Sequence, residues 1–170
     1  MKPKEILTPR LRLAALRPED REPLLALFCD SEVSKTYMVP ELPTEEAKTA
    51  LFDRLRGLSL SEQRFLYGVF RSEDLIGLLH EVDRQGDAVE LGYLISPREK
   101  GRGYASEALG AAIPVLFDLG YSTVRAAAFE ENAASQRVME KCGMRRTGET
   151  ETVEYRGETK RCICWAIRRT

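Results

Sequence analysis

Between Ser96 and Ile113 the sequence runs SPREKGRGYASEALGAAI, a basic segment with two glycines that leads into a run with helical periodicity. Backbone N–H groups at a helix N-terminus lack intrahelical partners, and the helix dipole places partial positive charge there. Glycines at 101 and 103 can adopt positive φ and carry no side chain that would keep an anion from the backbone. The segment therefore predicts an anion site of the kind that binds phosphate groups.

Two common phosphate-binding designs need residues that this segment lacks. A P-loop places a lysine and a hydroxyl residue directly after its last glycine, and neither is present here. A dinucleotide fingerprint needs a third glycine where this sequence has Ser106, and an acid at the end of the next strand, which has none before Glu130. Nucleotide-binding proteins of both kinds are therefore disfavoured.

A third design matches residue by residue. Arg98, Gly101 and Gly103 form R-x-x-G-x-G between ELGYLISP and YASEAL, and this block resembles the acetyl-CoA-binding motif of the GNAT N-acetyltransferases. A second block, ENAASQRVMEKCGM, resembles the N-x-x-S segment of that family at Asn132 and Ser135. The opening LTPRLRLAALRPED resembles the start of the RimJ/RimL-like branch, the ribosomal-protein N-terminal acetyltransferases.

The resemblance implies that acetyl-CoA is the co-substrate and that the loop amides bind its pyrophosphate. Backbone N–H groups near Leu94 and Ile95 would polarise the thioester carbonyl, and Asn132 would hold the CoA arm. The residues implied to contact the cofactor are Leu94, Ile95, Arg98, Glu99, Lys100, Gly101, Arg102, Gly103, Tyr104, Ala105, Asn132 and Ser135.

Acetyl transfer to an amine needs a base for the ammonium and a proton for the departing thiolate. Glu90 is the predicted base, because strand alternation places it on one face with Gly92 and Leu94; an ordinary solvated carboxylate is the alternative. His80, the only histidine, could instead take the proton or serve only structure. For the acid, the resemblance implies Ser135, and the alternatives are Tyr93, Tyr104, Tyr121 and Tyr155.

The hydrophobic pattern predicts one continuous domain over residues 1–170. We expect strands at 10–16, 64–70, 74–82, 88–95 and 122–129, a final hairpin that turns at 155–157, and helices at 18–28, 44–57, 105–120 and 132–142. Because a helix joins them, strands 88–95 and 122–129 should be parallel neighbours. Pro114 should kink its helix. The predicted fold class is α/β (α+β): a GNAT-like mixed, mostly antiparallel sheet with one parallel crossover at the acetyl-CoA site and helices on both faces.

Composition limits the possible partners. The 170 residues carry a net charge of −1, so no overall basic field would draw the chain to nucleic acid or an anionic membrane. No apolar run suits a signal peptide or a membrane span, so we expect a cytoplasmic protein. The four cysteines, Cys29, Cys142, Cys162 and Cys164, lack zinc-site spacing; we expect no metal and packed, reduced thiols. Monomer and homodimer are both compatible with the sequence.

The acceptor is the least determined partner. We expect it between the first two helices and the last hairpin, lined by residues 32–46, where Glu41, Glu45 and Glu46 could attract a cation. The branch resemblance favours a protein N-terminal α-amine. A small-molecule amine (an aminoglycoside, a polyamine or a modified peptide) and a non-catalytic acyl-CoA sensor remain alternatives.

Overall fold

The computed structural model describes all 170 residues as one eight-stranded sheet with five α-helices. The strands are β1 (Glu5–Leu7), β2 (Arg12–Ala14), β3 (Leu66–Arg71), β4 (Asp74–Gln85), β5 (Ala88–Ile95), β6 (Thr123–Phe129), β7 (Arg145–Tyr155) and β8 (Glu158–Arg168). The helices are α1 (Arg21–Phe28), α2 (Ser31–Thr36), α3 (Glu45–Leu60), α4 (Tyr104–Asp118) and α5 (Ala133–Lys141). Short 3-10 turns precede α1 and α4 at Pro18–Asp20 and Pro97–Glu99.

The sheet has the strand order β1-β2-β3-β4-β5-β6-β8-β7. Only β5 and β6 are parallel, and they pair from Ala88↔Thr123 to Leu91↔Ala126. Helix α4 makes the crossover between them, as a strand–helix–strand order requires. The predicted mixed sheet with one parallel crossover is confirmed.

Two apolar layers cover the sheet. Leu109 of α4 and Met139 of α5 pack against one face, together with Val89 and Leu91 of β5. The first three helices cover the other face through residues Leu24, Val33 and Phe52, which pack with Phe70, Leu78 and Leu94. Strand β5 is buried from both sides, which agrees with its nearly continuous apolar sequence.

The predicted element boundaries were wrong mainly for short elements. The strand expected over 10–16 is only Arg12–Ala14, and β1 was not predicted. Helix α2 was not predicted either, because its six residues carry too little periodicity to stand out. Helix α3 continues past Gly57 to Leu60, so that glycine does not end it. A glycine weakens a helix but ends it only when packing does not hold the next turn, and Ser59 is buried there.

The helix that contains Pro114 continues from Tyr104 to Asp118, so the proline does not end it. One single-residue prediction is corrected. Cys29 is exposed rather than packed, whereas Cys162 and Cys164 are buried on β8. The final hairpin turns at Arg156 and Gly157, both with positive φ, as predicted from the sequence. None of the helices is long and apolar enough to cross a bilayer.

Candidate active site

The site begins where β5 and β6 separate. Their pairing ends at Leu91↔Ala126, although β5 continues to Ile95 and β6 to Phe129. The edge of β5 beyond Leu91 therefore has no strand partner on the β6 side, and its backbone groups remain available to a ligand. A cavity of about 650 Å³ opens in this gap.

The N-terminus of α4 faces the same cavity. Gly101 and Gly103 adopt φ values of 75° and 81°, which L side chains rarely accept. The first backbone bond of the helix runs from Glu107 N to Gly103 O (3.0 Å), so the N–H groups of residues 104–106 have no intrahelical acceptor. Residues 103–106 line the cavity. The backbone thus has the free N–H groups and the glycine conformations that the predicted anion site requires.

The beginning of the chain braces this loop. The Thr8 hydroxyl donates to Glu107 Oε1 at 2.6 Å, and Arg10 Nε donates to Glu107 Oε2 at 2.7 Å. Arg10 Nη1 also donates to the carbonyl of Arg102 (2.8 Å), and its guanidinium lies 4.5 Å from the centre of the Tyr104 ring. The threonine and arginine of the TPRL segment therefore hold the glycine loop and the first turn of α4 together.

Some charged side chains of the glycine loop form ion pairs within the loop or with a neighbouring strand. The carboxylate of Glu99 pairs with Arg71 and with Arg102, each at 3.1 Å. Arg98 forms no ion pair. Neither Arg98 nor Arg102, both expected to contact the cofactor, lines the cavity. The residues from the predicted cofactor set that do line it are Leu94, Ile95, Glu99, Lys100, Gly101, Gly103, Tyr104, Ala105, Asn132 and Ser135.

Asn132 and Ser135 lie at the start of α5, on the other wall of the gap. The side-chain oxygen of Asn132 accepts from Ser135 N (3.1 Å) and caps the helix. The Ser135 hydroxyl lies 2.8 Å from the hydroxyl of Tyr93 on β5. Burial raises the pKa of Tyr93 strongly, so this phenol keeps its proton. Sequence reasoning named Tyr93 only as a substitute for Ser135; the two form one hydrogen-bonded pair.

Glu90 lines the cavity on the face shared with Gly92 and Leu94, as strand alternation predicts. It is half-buried, and burial raises the pKa of its carboxyl group. The charge of Glu151 raises the pKa further and Arg125 opposes it. Glu151 lines the same cavity.

His80 has the orienting partners that the sequence did not reveal. Its Nδ1 lies 2.9 Å from the carbonyl oxygen of Glu81 and therefore carries the proton, which leaves Nε2 to accept from the Tyr37 hydroxyl. Burial lowers the pKa of the imidazole, so the ring is neutral near pH 7. A Cβ at Gly92 would lie 3.0 Å from Nε2, so this glycine makes room for the ring.

Helix α2 and the residues after it form a wall across from β5. The Tyr155 hydroxyl, in the final hairpin, accepts from Val39 N (3.3 Å) and lies 2.9 Å from the carbonyl oxygen of Ser34 and 3.2 Å from that of Tyr37. The Tyr155 ring also packs on Phe129, at 5.8 Å between centroids. No local pattern could have found these contacts, because they join residues 116 to 121 positions apart.

Only the first part of the segment that was expected to line the acceptor site lies at the cavity. This part lines the cavity through Glu32, Val33, Thr36, Tyr37 and Met38. Glu41, Glu45 and Glu46 do not line it, and Glu45 instead pairs with Lys48 and Arg21 on the surface. We call residues 94–106 the glycine-loop side of the cavity. We call residues 32–38, with His80, Val82, Glu90 and Glu151, the α2 side.

Comparisons with known proteins agree with this geometry. The family model of the GNAT acetyltransferase domain matches residues 10–145. The uncharacterized N-acetyltransferases YoaA and YnaD of Bacillus subtilis are 27% and 32% identical, over 89% and 84% of both chains. A GNAT-family acetyltransferase from Bacillus anthracis has a similar structure, with TM-score 0.82 and 27% identity over 96% of this chain and 98% of that one.

Three observations together define an acetyltransferase. The glycine loop lies at the gap between two parallel strands, the family model matches the chain, and the relatives are N-acetyltransferases. The chain belongs to the GNAT acetyltransferase family, and it is an N-acetyltransferase that uses acetyl-CoA.

More distant structures share the fold. The ribosomal-protein-S5-alanine acetyltransferase of Vibrio fischeri superimposes with TM-score 0.79 at 16% identity over 96% of each chain. The microcin C7 self-immunity acetyltransferase MccE, solved with acetyl-CoA and AMP, superimposes with TM-score 0.81 at 14% identity, covering 95% of this chain and 93% of that one.

Proposed function

We propose that this enzyme acetylates the N-terminal α-amine of a peptide or protein by direct transfer in a ternary complex with acetyl-CoA. The observation that carries the proposal is the position of Glu90, a half-buried carboxylate on the strand that leads to the glycine loop, inside the cavity that both substrates would share. A base at this point can act on an amine that enters from the α2 side.

Acetyl-CoA would bind along the glycine-loop side. The free N–H groups of residues 104–106 would hold its pyrophosphate, and the CoA arm would pass between β5 and β6 beside Asn132. The thioester carbonyl would then lie against the unpaired edge of β5 at Leu94 and Ile95, where a backbone N–H can stabilise the oxyanion of the tetrahedral intermediate.

The proton steps would use one carboxylate and one hydroxyl pair. Glu90 accepts a proton from the acceptor ammonium, the free amine attacks the thioester carbon, and the C–S bond breaks as the intermediate collapses. The departing thiolate takes the Ser135 hydroxyl proton, and the proton that the nitrogen loses as the amide forms returns to Ser135 and restores its hydroxyl. When Tyr93 donates to Ser135 Oγ, the serine proton is free to point into the cavity, which supports Ser135 as the acid.

Proton affinity favours an α-amine over a lysine side chain. The α-amino group of a peptide has a pKa of about 8 and a lysine amine about 10.4, so taking the proton from the α-amine costs about 3 kcal/mol less. Carboxylates at Glu90 and Glu151 suit a single ammonium group. The structural likeness to an acetyltransferase of a ribosomal-protein N-terminus is in keeping with this acceptor.

The test is a measurement of CoA thiol release with matched acceptors. One peptide carries a free α-amine and no lysine, and its control is N-acetylated and contains one lysine; spermidine and an aminoglycoside complete the panel. We expect release with the first peptide only. If only the blocked lysine peptide or only a small amine gave release, the α-amine assignment would be wrong and that amine would be the acceptor class. Acetyl-CoA binding in calorimetry without release from any amine would indicate a sensor.

A further inference from the structure

Two large apolar side chains are exposed on the α2 side of the cavity. Met38 is 47% exposed and Val82 is 53% exposed, and both line the cavity that contains Glu90. The other exposed large hydrophobic residues, Met1, Leu7 and Leu60, lie outside it. An apolar surface beside a reacting carboxylate has no function in holding CoA phosphates, so it needs a different explanation.

Side-chain contacts join the two segments that carry Met38 and Val82. Met38 follows Tyr37, whose hydroxyl donates to His80. Val82 comes two residues after His80 on β4, at the point where the register between β4 and β5 shifts. A Cβ at Gly92 would lie 3.0 Å from the His80 ring and 3.1 Å from Val82 Cγ2, so the side chains of His80 and Val82 lie over this glycine. Met38 and Val82 are therefore each within two residues, along the chain, of the Tyr37–His80 contact, and both line the cavity.

Charge on the same wall defines where the ammonium must lie. Gly92 is two residues from Glu90 on one face of β5, and the carboxylate of Glu151 lines the cavity from β7. An ammonium at Glu90 would thus share the cavity with Val82 and Met38. An α-amine is joined through one carbon to a side chain, so the first side chain of the acceptor would extend into the cavity that these two apolar residues line. Polyamines and aminoglycosides carry no such apolar branch.

We propose that Met38 and Val82 form a subsite for the first side chain of the acceptor, and that this subsite selects an aliphatic residue such as leucine or methionine. The inference rests on the proposed α-amine function. The flexible thioether of Met38 can adapt to side chains of different shape. A polar or charged first side chain would have to lose hydration against two apolar surfaces without a hydrogen-bond partner in return.

The experiment compares lysine-free hexapeptides that differ only in the first residue, with Leu, Ser or Asp at that position. For the wild-type enzyme we expect kcat/KM for the Leu peptide to exceed that for the Ser peptide about tenfold, the scale of discrimination that apolar pockets achieve. Near-isosteric variants Val82→Thr and Met38→Gln should each lower the Leu-to-Ser ratio. Leu60→Gln, at an equally exposed leucine outside the cavity, should leave the ratio as in the wild type.

The outcomes separate this inference from the function on which it rests. Equal kcat/KM for all three peptides, a preference for Ser or Asp, or variants that lower the Leu and Ser values by the same factor would overturn the subsite while leaving α-amine acetylation intact. If no peptide releases CoA thiol, the α-amine function fails and the subsite fails with it.

Discussion

The two sides of the cavity are assembled in different ways. The glycine-loop side is one continuous stretch from Leu94 to Ser106, and the groups proposed to bind acetyl-CoA there are backbone amides at a helix N-terminus. The α2 side is built from separated segments: α2, the middle of β4 and β5, and the final hairpin, fastened by hydroxyls of Tyr37 and Tyr155. Backbone amides bind any phosphate in the same manner, whereas a wall of side chains from several segments can differ from one acceptor to another. We therefore expect the glycine-loop side to be the general half of the site, which binds the cofactor phosphates, and the α2 side to be the selective half, which distinguishes acceptors.

The largest effect should come from Glu90, the proposed base on the α2 side of the cavity. We expect Glu90→Gln to lower kcat/KM about 100-fold, because general-base catalysis contributes at least that factor, while the Kd of acetyl-CoA stays close to the wild-type value. Steady-state kinetics and calorimetry measure the two quantities. The matched control is Glu140→Gln, an exposed carboxylate on α5 outside the cavity. If the Glu90→Gln enzyme kept full activity, the base would be His80 or a water path instead of Glu90.

The hydroxyl pair should have a smaller effect, since a thiolate with a pKa of about 8.5 leaves without much help. We expect Ser135→Ala to lower kcat about tenfold, and Tyr93→Phe to lower it less. Because the two hydroxyls are hydrogen-bonded, the double variant should resemble Ser135→Ala alone rather than the product of both losses. Strictly multiplicative losses in kcat would show that the two groups act separately.

The brace at the start of the chain tests the independence of the glycine-loop side. Arg10→Gln removes the guanidinium contacts with Glu107, Arg102 and the Tyr104 ring, so we expect the KM for acetyl-CoA to rise about tenfold, equivalent to about 1.4 kcal/mol. The KM for the acceptor should change little. Arg12→Gln is the control, since Arg12 stacks on Phe70 away from the loop. Equal increases in both KM values would contradict the division into two sides.

The reciprocal variant is Tyr155→Phe on the α2 side. It removes one hydroxyl that joins the hairpin to residues 34–39, and the loss of such a hydrogen bond costs about 1 kcal/mol. We expect the acceptor KM to rise about fivefold and the acetyl-CoA KM to stay the same. Tyr121→Phe serves for comparison, because the Tyr121 hydroxyl makes no hydrogen bond. An altered acetyl-CoA KM in Tyr155→Phe would show that the hairpin supports both sides.

The smallest predicted effect is a shift in pH dependence. A raised pKa means that Glu90 holds its proton to higher pH than a free carboxyl group, so the base form is lost as pH falls through that value. Glu151→Gln removes one charge that raises the pKa, leaving Arg125, which lowers it, and Asp83, which raises it. The acid limb of the kcat/KM profile should therefore move to lower pH. The control is Glu154→Gln, on the opposite face of β7, which should leave the acid limb in place. If the acid limb of Glu151→Gln moved to higher pH instead, Glu151 would not be a charge that raises the pKa of Glu90.

Sequence reasoning was accurate where contacts are local. The helix after the loop, the parallel neighbours at 88–95 and 122–129, and the hairpin turn at Arg156 and Gly157 all follow from periodicity, chain order and turn chemistry. Glu90 was placed on the correct face by alternation alone. Glu45, one of the acids considered for attracting a cation, lies outside the cavity and pairs with Arg21 on a neighbouring helix, a contact that the sequence pattern does not reveal.

The amino-acid sequence by itself determined the class of fold and predicted the backbone of the general half of the site, because glycine dihedrals and a helix dipole depend mainly on neighbouring residues. Even there, Thr8 and Arg10 brace the loop from a distant part of the chain. Only the tertiary structure decided the selective half. The partners of His80, the pairing of Tyr93 with Ser135 and the exposure of Met38 and Val82 arise where distant segments meet. Such contacts depend on how strands and helices pack, and no spacing in the chain encodes them.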